Sequence, residues 1–196
     1  MKSLKLKVKS LGFTMIELLI VIAVLGVLAV AVLATLNPIE QINRGRDTSS
    51  RSDAEQLLSA IDRYNANKGL WPWQDAASDD PALAWMQITA AAPATPKGCT
   101  MLGLLSTTSD PNCPGTDEIK AAFANRVADT KSNALYIEYG GATGQSVYIC
   151  FNPQSVAFSK EADTRCSNPP TDFPTTACGS CPTTSLGKNA NCVCLP

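Results

Sequence analysis

Glu17 is the side chain whose position is chemically most unusual, because it is a carboxylate inside an apolar run. Over residues 13–36 the other polar side chains are those of Thr14 and Thr35. A carboxylate at the centre of a membrane helix costs about 2.5–3.5 kcal/mol, so it is rarely kept without a partner or a route to water. The chemistry open to Glu17 is electrostatic: it can neutralise a positive group where the attraction is weakly screened.

A second chemically informative set consists of eight cysteines, an even number, all in the C-terminal half of the chain. They lie in sequence rich in Pro and Thr, which is typical of disulfides formed in an oxidising compartment. We predict that all eight form disulfides and that the chain holds no metal ion. The eight are Cys99, Cys113, Cys150, Cys166, Cys178, Cys181, Cys192 and Cys194.

The pairing of these cysteines stays open, because eight cysteines allow 105 connectivities. Short loops favour Cys99 with Cys113 and Cys150 with Cys166. The alternative is a four-thiolate zinc site built from the close pairs at positions 178/181 and 192/194. The second pair is one residue tighter than a usual zinc knuckle, which favours disulfides.

The composition argues against an enzyme. There is no histidine, so the commonest general base and metal ligand is missing. The sequence also lacks a Gly-rich phosphate loop and a recognisable pair of nucleophile and base. Four of the 16 basic residues lie in the first twelve positions, and without them 12 basic side chains face 17 acidic ones, a net charge of −5. An acidic body does not attract nucleic acid, so we expect no catalysis, no cofactor and no nucleic-acid partner.

The element that carries Glu17 is long enough to cross a membrane. As a helix, residues 13–36 span roughly 36 Å, more than the hydrocarbon core of about 30 Å. Lysines at positions 2, 5, 7 and 9 precede it, and by the positive-inside rule they keep the N-terminus in the cytoplasm while the C-terminal body is exported. A secretory signal peptide cut near residues 29–31 and an uncut signal anchor are two interpretations of such a segment.

A third interpretation depends on residues 12–17, Gly-Phe-Thr-Met-Ile-Glu. This segment resembles the cleavage site of type IV prepilins and type II secretion pseudopilins. The resemblance implies that a prepilin peptidase cuts between Gly12 and Phe13, methylates the new amine of Phe13 and leaves the whole apolar helix in the mature protein. It further implies that Glu17 pairs with the Phe13 amine of a neighbouring subunit, as copies assemble from an inner-membrane platform.

Beyond the apolar run the sequence predicts an amphipathic continuation of the helix. Pro38 interrupts or loosens the helix, and apolar residues then recur at three- and four-residue spacing. Lys68 and Gly69 are a typical helix end. The resemblance extends over residues 2–72, although Pro38 lies farther from the cleavage site than the helix-breaking proline of many pilins. The apolar stripe consists of Ile39, Ile42, Ala54, Leu57, Leu58, Ile61 and Tyr64.

The remaining sequence predicts a small sheet. Residues 134–139 and 146–151 are rich in β-forming side chains and flank a Gly-rich stretch, which indicates an antiparallel hairpin. Residues 156–158 are a candidate third strand. The tyrosines of this hairpin are more typical of cross-strand packing than of a platform for stacking single-stranded DNA.

One short helix is expected before the hairpin, and one further segment carries only helical hints. Residues 81–88 carry weak helical signals. Thr116 is expected to cap a helix that runs to residue 126, with acidic residues in its first turn.

Together these features predict an α+β, pilin-like fold, in which a long N-terminal helix packs on a small antiparallel sheet with a disulfide-rich C-terminal region. The expected divisions are a leader (1–12), a membrane or filament-core helix (13–36), an amphipathic continuation (37–69) and a head (70–196). The expected function is that of a structural pilin or pseudopilin subunit, held by one helix in the cytoplasmic membrane before assembly and exposed in an extracytoplasmic filament afterwards. The alternatives are a membrane-anchored binding or enzymatic domain and a minor pilin for DNA uptake.

Overall fold

The computed structural model describes residues 12–35, 37–107, 110–129, 134–182 and 189–196. The four leader lysines lie outside the described residues. The chain divides into two compact units, Met1–Pro38 and Ile39–Pro196.

The described part of the first unit is dominated by one apolar helix, α1, over Met15–Thr35. Its segment Met15–Leu33 has a mean hydropathy of 3.1 and is long and apolar enough, by length and composition, to cross a membrane. None of that segment is buried. Its apolar surface is therefore available on all sides to lipid or to other protein chains.

Helix α2 covers Pro38–Lys68, and all of it after Pro38 belongs to the second unit. Pro38 is its first residue, where the N–H that proline lacks would have no helical partner. The helix ends where predicted: Gly69 adopts a φ of 66°, and its N–H donates to the carbonyl of Asn65 at 2.7 Å. A positive φ is the usual conformation just after a helix end, and glycine adopts it without steric cost.

The apolar stripe predicted along α2 is only partly covered by the head, the residues 70–196. Its members between Ala54 and Tyr64 are buried, whereas Ile39 and Ile42 are 68% and 57% exposed. The inclusion of Ile39 and Ile42 in the covered stripe is therefore wrong. The physical reason is that the first turns of α2 present polar groups to the head, with the side chain of Asp47 buried there.

Four strands form one antiparallel sheet in the order β1-β2-β3-β4. The predicted hairpin is confirmed, since β2 and β3 pair from Leu135 opposite Phe151 to Tyr139 opposite Val147. In its turn Gly141 has a φ of 81°, and a Cβ there would lie 2.8 Å from that of Ala82, so the position requires glycine. The strands are β1 Leu83–Gln87, β2 Leu135–Tyr139, β3 Val147–Phe151 and β4 Val193–Leu195.

Two of these strands differ from the sequence-based expectation. Strand β1 occupies the region of residues 81–88, where the sequence carries only short helical hints, because pairing with β2 overrides a weak local preference. Strand β4 lies in the C-terminal region for which no strand was predicted, and it pairs with β3.

The described residues of the head also form three short helices: α3 Met101–Leu105, α4 Ala121–Ala128 and α5 Val156–Ser167, with a 3₁₀ turn at Thr175–Ala177. The helix predicted to begin at Thr116 begins later. Thr116 instead donates its hydroxyl and its N–H to the carbonyl of Leu104, and Asp117 has a φ of 58°, which a helix does not allow.

The strand predicted at residues 156–158 is also wrong, because these residues form the first turn of α5. The hydroxyl oxygen of Ser155 accepts the N–H of Phe158 at 3.4 Å and caps that helix.

The sheet has an apolar cluster on each face, as the alternation along β3 shows. Val147, Ile149 and Phe151 belong to one cluster with the buried side of α2. Tyr148 and Cys150 belong to the other, with the C-terminal cysteines. The apolar N-terminal helix, the antiparallel sheet, the packed helices and the C-terminal disulfides fit the predicted α+β, pilin-like fold.

Candidate functional site

The residues around the predicted cleavage bond lie at the exposed N-terminal end of α1. Gly12 and Phe13 are non-helical and exposed, and Phe13 is 76% exposed. The helix begins two residues later, at Met15. The peptide bond between Gly12 and Phe13 is therefore accessible in the described structure.

Thr14 and Glu17 form a capping box at the start of α1. The Glu17 carboxylate accepts the N–H of Thr14 at 3.0 Å and the Thr14 hydroxyl at 2.6 Å. In return the N–H of Glu17 donates to the Thr14 hydroxyl oxygen at 3.3 Å. This reciprocal pattern is the one that Thr and Glu three residues apart make at helix starts.

The capping box was missed at the sequence level, although the spacing Thr-x-x-Glu at residues 14–17 predicts it. It gives Glu17 a partner within its own chain, and therefore a structural role beside the predicted electrostatic one. Because a carboxylate has about four acceptor positions, Glu17 can keep this hydrogen bond and still accept an amine. The capping box also holds the carboxylate close to residue 13.

A second polar cluster holds the first turns of α2 against the start of α5. The buried carboxylate of Asp47 accepts the N–H of Gln154 at 2.9 Å, the N–H of Ser155 at 2.8 Å and the Ser155 hydroxyl at 2.6 Å. The Glu40 carboxylate accepts the N–H of Val156 at 2.9 Å. Two carboxylates thus satisfy the free N–H groups at the N-terminal end of α5, where negative charge is favoured.

All eight cysteines form disulfides, in four pairs. Cys99 pairs with Cys113, as the short-loop argument favoured. Cys150 pairs with Cys194, so the preference for Cys150 with Cys166 is wrong. The physical reason is the sheet, which brings residues 150 and 194 directly opposite each other on β3 and β4. The remaining bonds are Cys166–Cys178 and Cys181–Cys192.

The disulfides engage the sulfurs that a zinc site would have used. Cys178 and Cys181 bond to different partners, and so do Cys192 and Cys194. Within the described ranges no group of three or more acidic or cysteine side chains is arranged to hold a metal ion.

The hairpin tyrosines are packed inside the head. Tyr136, Tyr139 and Tyr148 are all less than 10% exposed, at 6%, 7% and 4%. Tyr136 stacks on Trp85 at 5.4 Å between ring centroids, and Tyr148 meets the edge of Phe173. Burial raises the pKa of Tyr136 and of Tyr148. These rings are therefore cross-strand packing and do not offer open faces to the bases of single-stranded DNA.

Asp172 ties the C-terminal segment to the hairpin. Its carboxylate accepts the N–H of Ser146 at 2.9 Å and the hydroxyl of Tyr148 at 3.0 Å. The backbone hydrogen bond from Ser146, with support from the Tyr148 hydroxyl, lowers the pKa of Asp172 below its usual value.

Comparison with known proteins supports the family resemblance of the N-terminal segment. Residues 7–33 match the prokaryotic N-terminal methylation motif. The chain is 36% identical over 67 residues to the fimbrial protein EcpC of Eikenella corrodens, a match that covers 34% of this chain and 42% of that protein. The chain thus matches less than half the length of this curated relative. No solved structure matches the chain. The motif and the fimbrial relative support a type IV pilin-family protein with a prepilin-type N-terminal segment.

Proposed function

We propose that the protein is the structural subunit of a type IV pilus-like or type II secretion-like filament, assembled from the membrane after its leader is removed. The observation that carries the proposal is the juxtaposition at residues 12–17: an exposed Gly–Phe bond, followed at once by an apolar helix with a carboxylate in its first turn. This segment lies inside the methylation motif. A tethered enzyme or binding domain would need the apolar helix, but it would not need a cleavable Gly–Phe bond before it, and Glu17 would serve it only as a helix cap.

The proposed processing removes residues 1–12 and leaves a positively charged, methylated amine on Phe13. We infer that a prepilin peptidase and methyltransferase carries out both steps on the cytoplasmic side, and that an inner-membrane platform adds the mature subunit to the filament. The helix of residues 13–36 then exchanges lipid for the helices of other copies, with residues 37–69 and the head of residues 70–196 outside the membrane. The role is structural and non-enzymatic.

Glu17 gives the assembly step its register. An amine and a carboxylate buried together in an apolar core attract strongly, whereas either one buried alone is unfavourable by several kcal/mol. A subunit that docks with its Phe13 amine beside the Glu17 of a neighbour satisfies both charges. A subunit displaced along the axis by one helical turn leaves both the Phe13 amine and the Glu17 carboxylate without a partner.

Two variants separate this pairing from the capping role of Glu17. Glu17→Gln keeps an acceptor for the Thr14 N–H, because Gln is an equivalent partner in a capping box, but it removes the charge. Thr14→Ala removes the capping hydroxyl and keeps the charge. We expect Glu17→Gln to be cleaved and to reach normal membrane levels while its filament yield falls at least about tenfold, which corresponds to about 1.4 kcal/mol per subunit.

The Thr14→Ala variant is expected to retain filaments, since a lost N-cap costs only about 1 kcal/mol. Filament yield is compared with the membrane level of mature subunit in each strain. Normal filaments from Glu17→Gln alone would refute the charge pairing. If the wild-type chain forms no filament at all, the tethered-domain alternative replaces the proposal.

A further inference from the structure

Helix α2 carries ten charged side chains, and most of them bind the head. Six make hydrogen bonds or ion pairs with residues 118–161, which fixes the helix on its domain. These contacts join Glu40 to Val156, Arg46 to Gln154, Asp47 to Ser155, Arg51 to Glu161, Asp53 to Arg126 and Arg63 to Glu118.

Three of the remaining charged side chains, Arg44, Glu55 and Asp62, are exposed. Their side chains make no hydrogen bond or ion pair with any residue in the part of the chain that the structure describes. They lie on one face of the helix, within about 20° of each other at 3.6 residues per turn. Lys68, the fourth, lies about 120° away from Arg44 on the same reckoning.

The charges on this face are arranged in one direction, with the positive charge near the start of α2 and the negative charges farther along. Arg44 is the positive charge nearest the start of α2, and Glu55 and Asp62 follow about 17 Å and 27 Å farther along the helix axis. Arg51 lies between them on the same side, about 20° from Arg44, but its charge is paired with Glu161 of the head. A face of this kind repels an identical face placed level with it, because like charges then oppose each other. It attracts an identical, parallel face that is displaced along the axis by roughly 17–27 Å, because Arg44 then lies level with Glu55, level with Asp62 or between them.

We propose that this face of α2 is an interface with a second copy of the chain, in which Arg44 of one subunit lies against Glu55 and Asp62 of its neighbour. The inference rests on the proposed filament function, which supplies the parallel orientation: every copy enters the assembly from the same membrane by the same helix. The contact is heterologous, since each subunit uses Arg44 toward one neighbour and the acids toward another. Because each copy is also displaced along the axis, the contact cannot close into a ring and builds an open helical polymer.

Charge reversal in the full-length chain is the first test. Arg44→Glu places three negative charges on the face, and the double variant E55K/D62K places three positive charges there. We expect each to lower filament yield at least about fivefold while the membrane level of mature subunit is unchanged. The triple variant R44E/E55K/D62K restores the complementary order and is expected to recover yield to within about twofold of wild type. Lys68→Glu, an equal charge change off this face, is the control.

Crosslinking within intact filaments is the second test, and it does not depend on yield. The native cysteines are all bonded, so cysteines introduced at positions 44 and 55, or at 44 and 62, are the free thiols that a short bis-maleimide can join. Two positions about 17 Å or more apart on one helix cannot be joined within a chain by such a linker. We expect at least one of the double variants R44C/E55C and R44C/D62C to give a ladder of multimers on a reducing gel.

The single variants and R44C/K68C should give no ladder. Filaments that form normally with Arg44→Glu and show no ladder from either double variant would overturn the interface and leave the filament function intact. The interface would also be overturned if the charge-reversal variants lose filament yield, the triple variant does not recover it, and neither double cysteine variant gives a ladder. A wild-type chain that forms no filament would instead overturn the function on which the inference rests.

Discussion

The carboxylate of Asp47 on α2 accepts both the N–H of Ser155, at 2.8 Å, and the Ser155 hydroxyl, at 2.6 Å. The two residues are 108 positions apart in sequence, and both are essentially inaccessible to solvent. Ser155 is the residue that caps α5. One buried side chain therefore joins the long helix to the head where the apolar contacts of α2 are missing.

Replacement of Asp47 should destabilise the protein strongly. Asp47→Ala removes the acceptor of two buried donors on Ser155 and of the partly buried N–H of Gln154, and each buried donor left unsatisfied costs about 1–3 kcal/mol. Allowing for some relaxation, we expect a loss of about 2–4 kcal/mol in the free energy of unfolding, measured by urea denaturation of the full-length chain in detergent. Asp62→Ala, an exposed acid on the same helix, should change it by less than about 0.5 kcal/mol. Equal effects of the two variants would contradict the role of the Asp47–Ser155 contact in stabilising the protein.

The Cys150–Cys194 disulfide should stabilise the head more than Cys166–Cys178. The Cys150–Cys194 bond closes a sequence separation of 44 residues, and the Cys166–Cys178 bond closes one of 12. The chain-entropy model gives a stabilisation of about 4 kcal/mol for the first bond and about 3 kcal/mol for the second. Cys150 is also fully buried in the second apolar cluster, which adds the loss of core packing when the pair is removed. The double variants C150A/C194A and C166A/C178A are compared by urea denaturation. A larger loss from the second pair would contradict the ranking, and peptide mapping of the unreduced protein tests the pairing itself.

Local sequence patterns predicted the elements whose determinants are local. The hairpin followed from the Gly-rich turn at residues 140–144, and the end of α2 followed from Gly69. The buried half of the α2 stripe, from Ala54 to Tyr64, followed from helical periodicity. Each of these signals lies within a few residues of the structure it specifies.

The elements that could not be predicted depend on partners far along the chain. Ile39 and Ile42 fit the apolar period but are exposed, because the surface they would meet is replaced by the polar contact between Asp47 and Ser155. The pairing of Cys150 with Cys194 follows from the register of β3 and β4, which no sequence spacing reveals. The Thr14–Glu17 capping box is different, since its local signal, the spacing Thr-x-x-Glu, is present in the sequence.

The stability of the head should depend on pH through Asp172. Because hydrogen bonds lower its pKa in the folded state, the carboxylate contributes stability that is fully present above its unfolded pKa of about 3.9 and is lost as the pH falls through the lower folded value. Asp172→Asn should therefore lower the melting temperature at pH 6, and its difference from wild type should shrink below about pH 4. A difference that is constant between pH 6 and pH 3 would contradict this role.

Processing should depend on the small residue before the cleaved bond. Gly12→Val places a branched side chain at the exposed junction before α1, and we expect it to block cleavage, so that the full-length chain accumulates in the membrane. Immunoblotting of membrane fractions distinguishes precursor from mature subunit by its size. Ser10→Val, two positions earlier in the leader, is the matched control and should be processed. Normal cleavage of Gly12→Val would contradict the proposed site.

The central claim is that the apolar helix is kept in the mature protein and becomes part of a filament. The most direct test is the intact mass of the subunit recovered from filaments sheared from cells. We predict a chain of residues 13–196 with an N-terminal methyl group on Phe13 and four disulfides. A mature N-terminus beyond residue 29, or cells that bear no filament containing this chain, would contradict the claim.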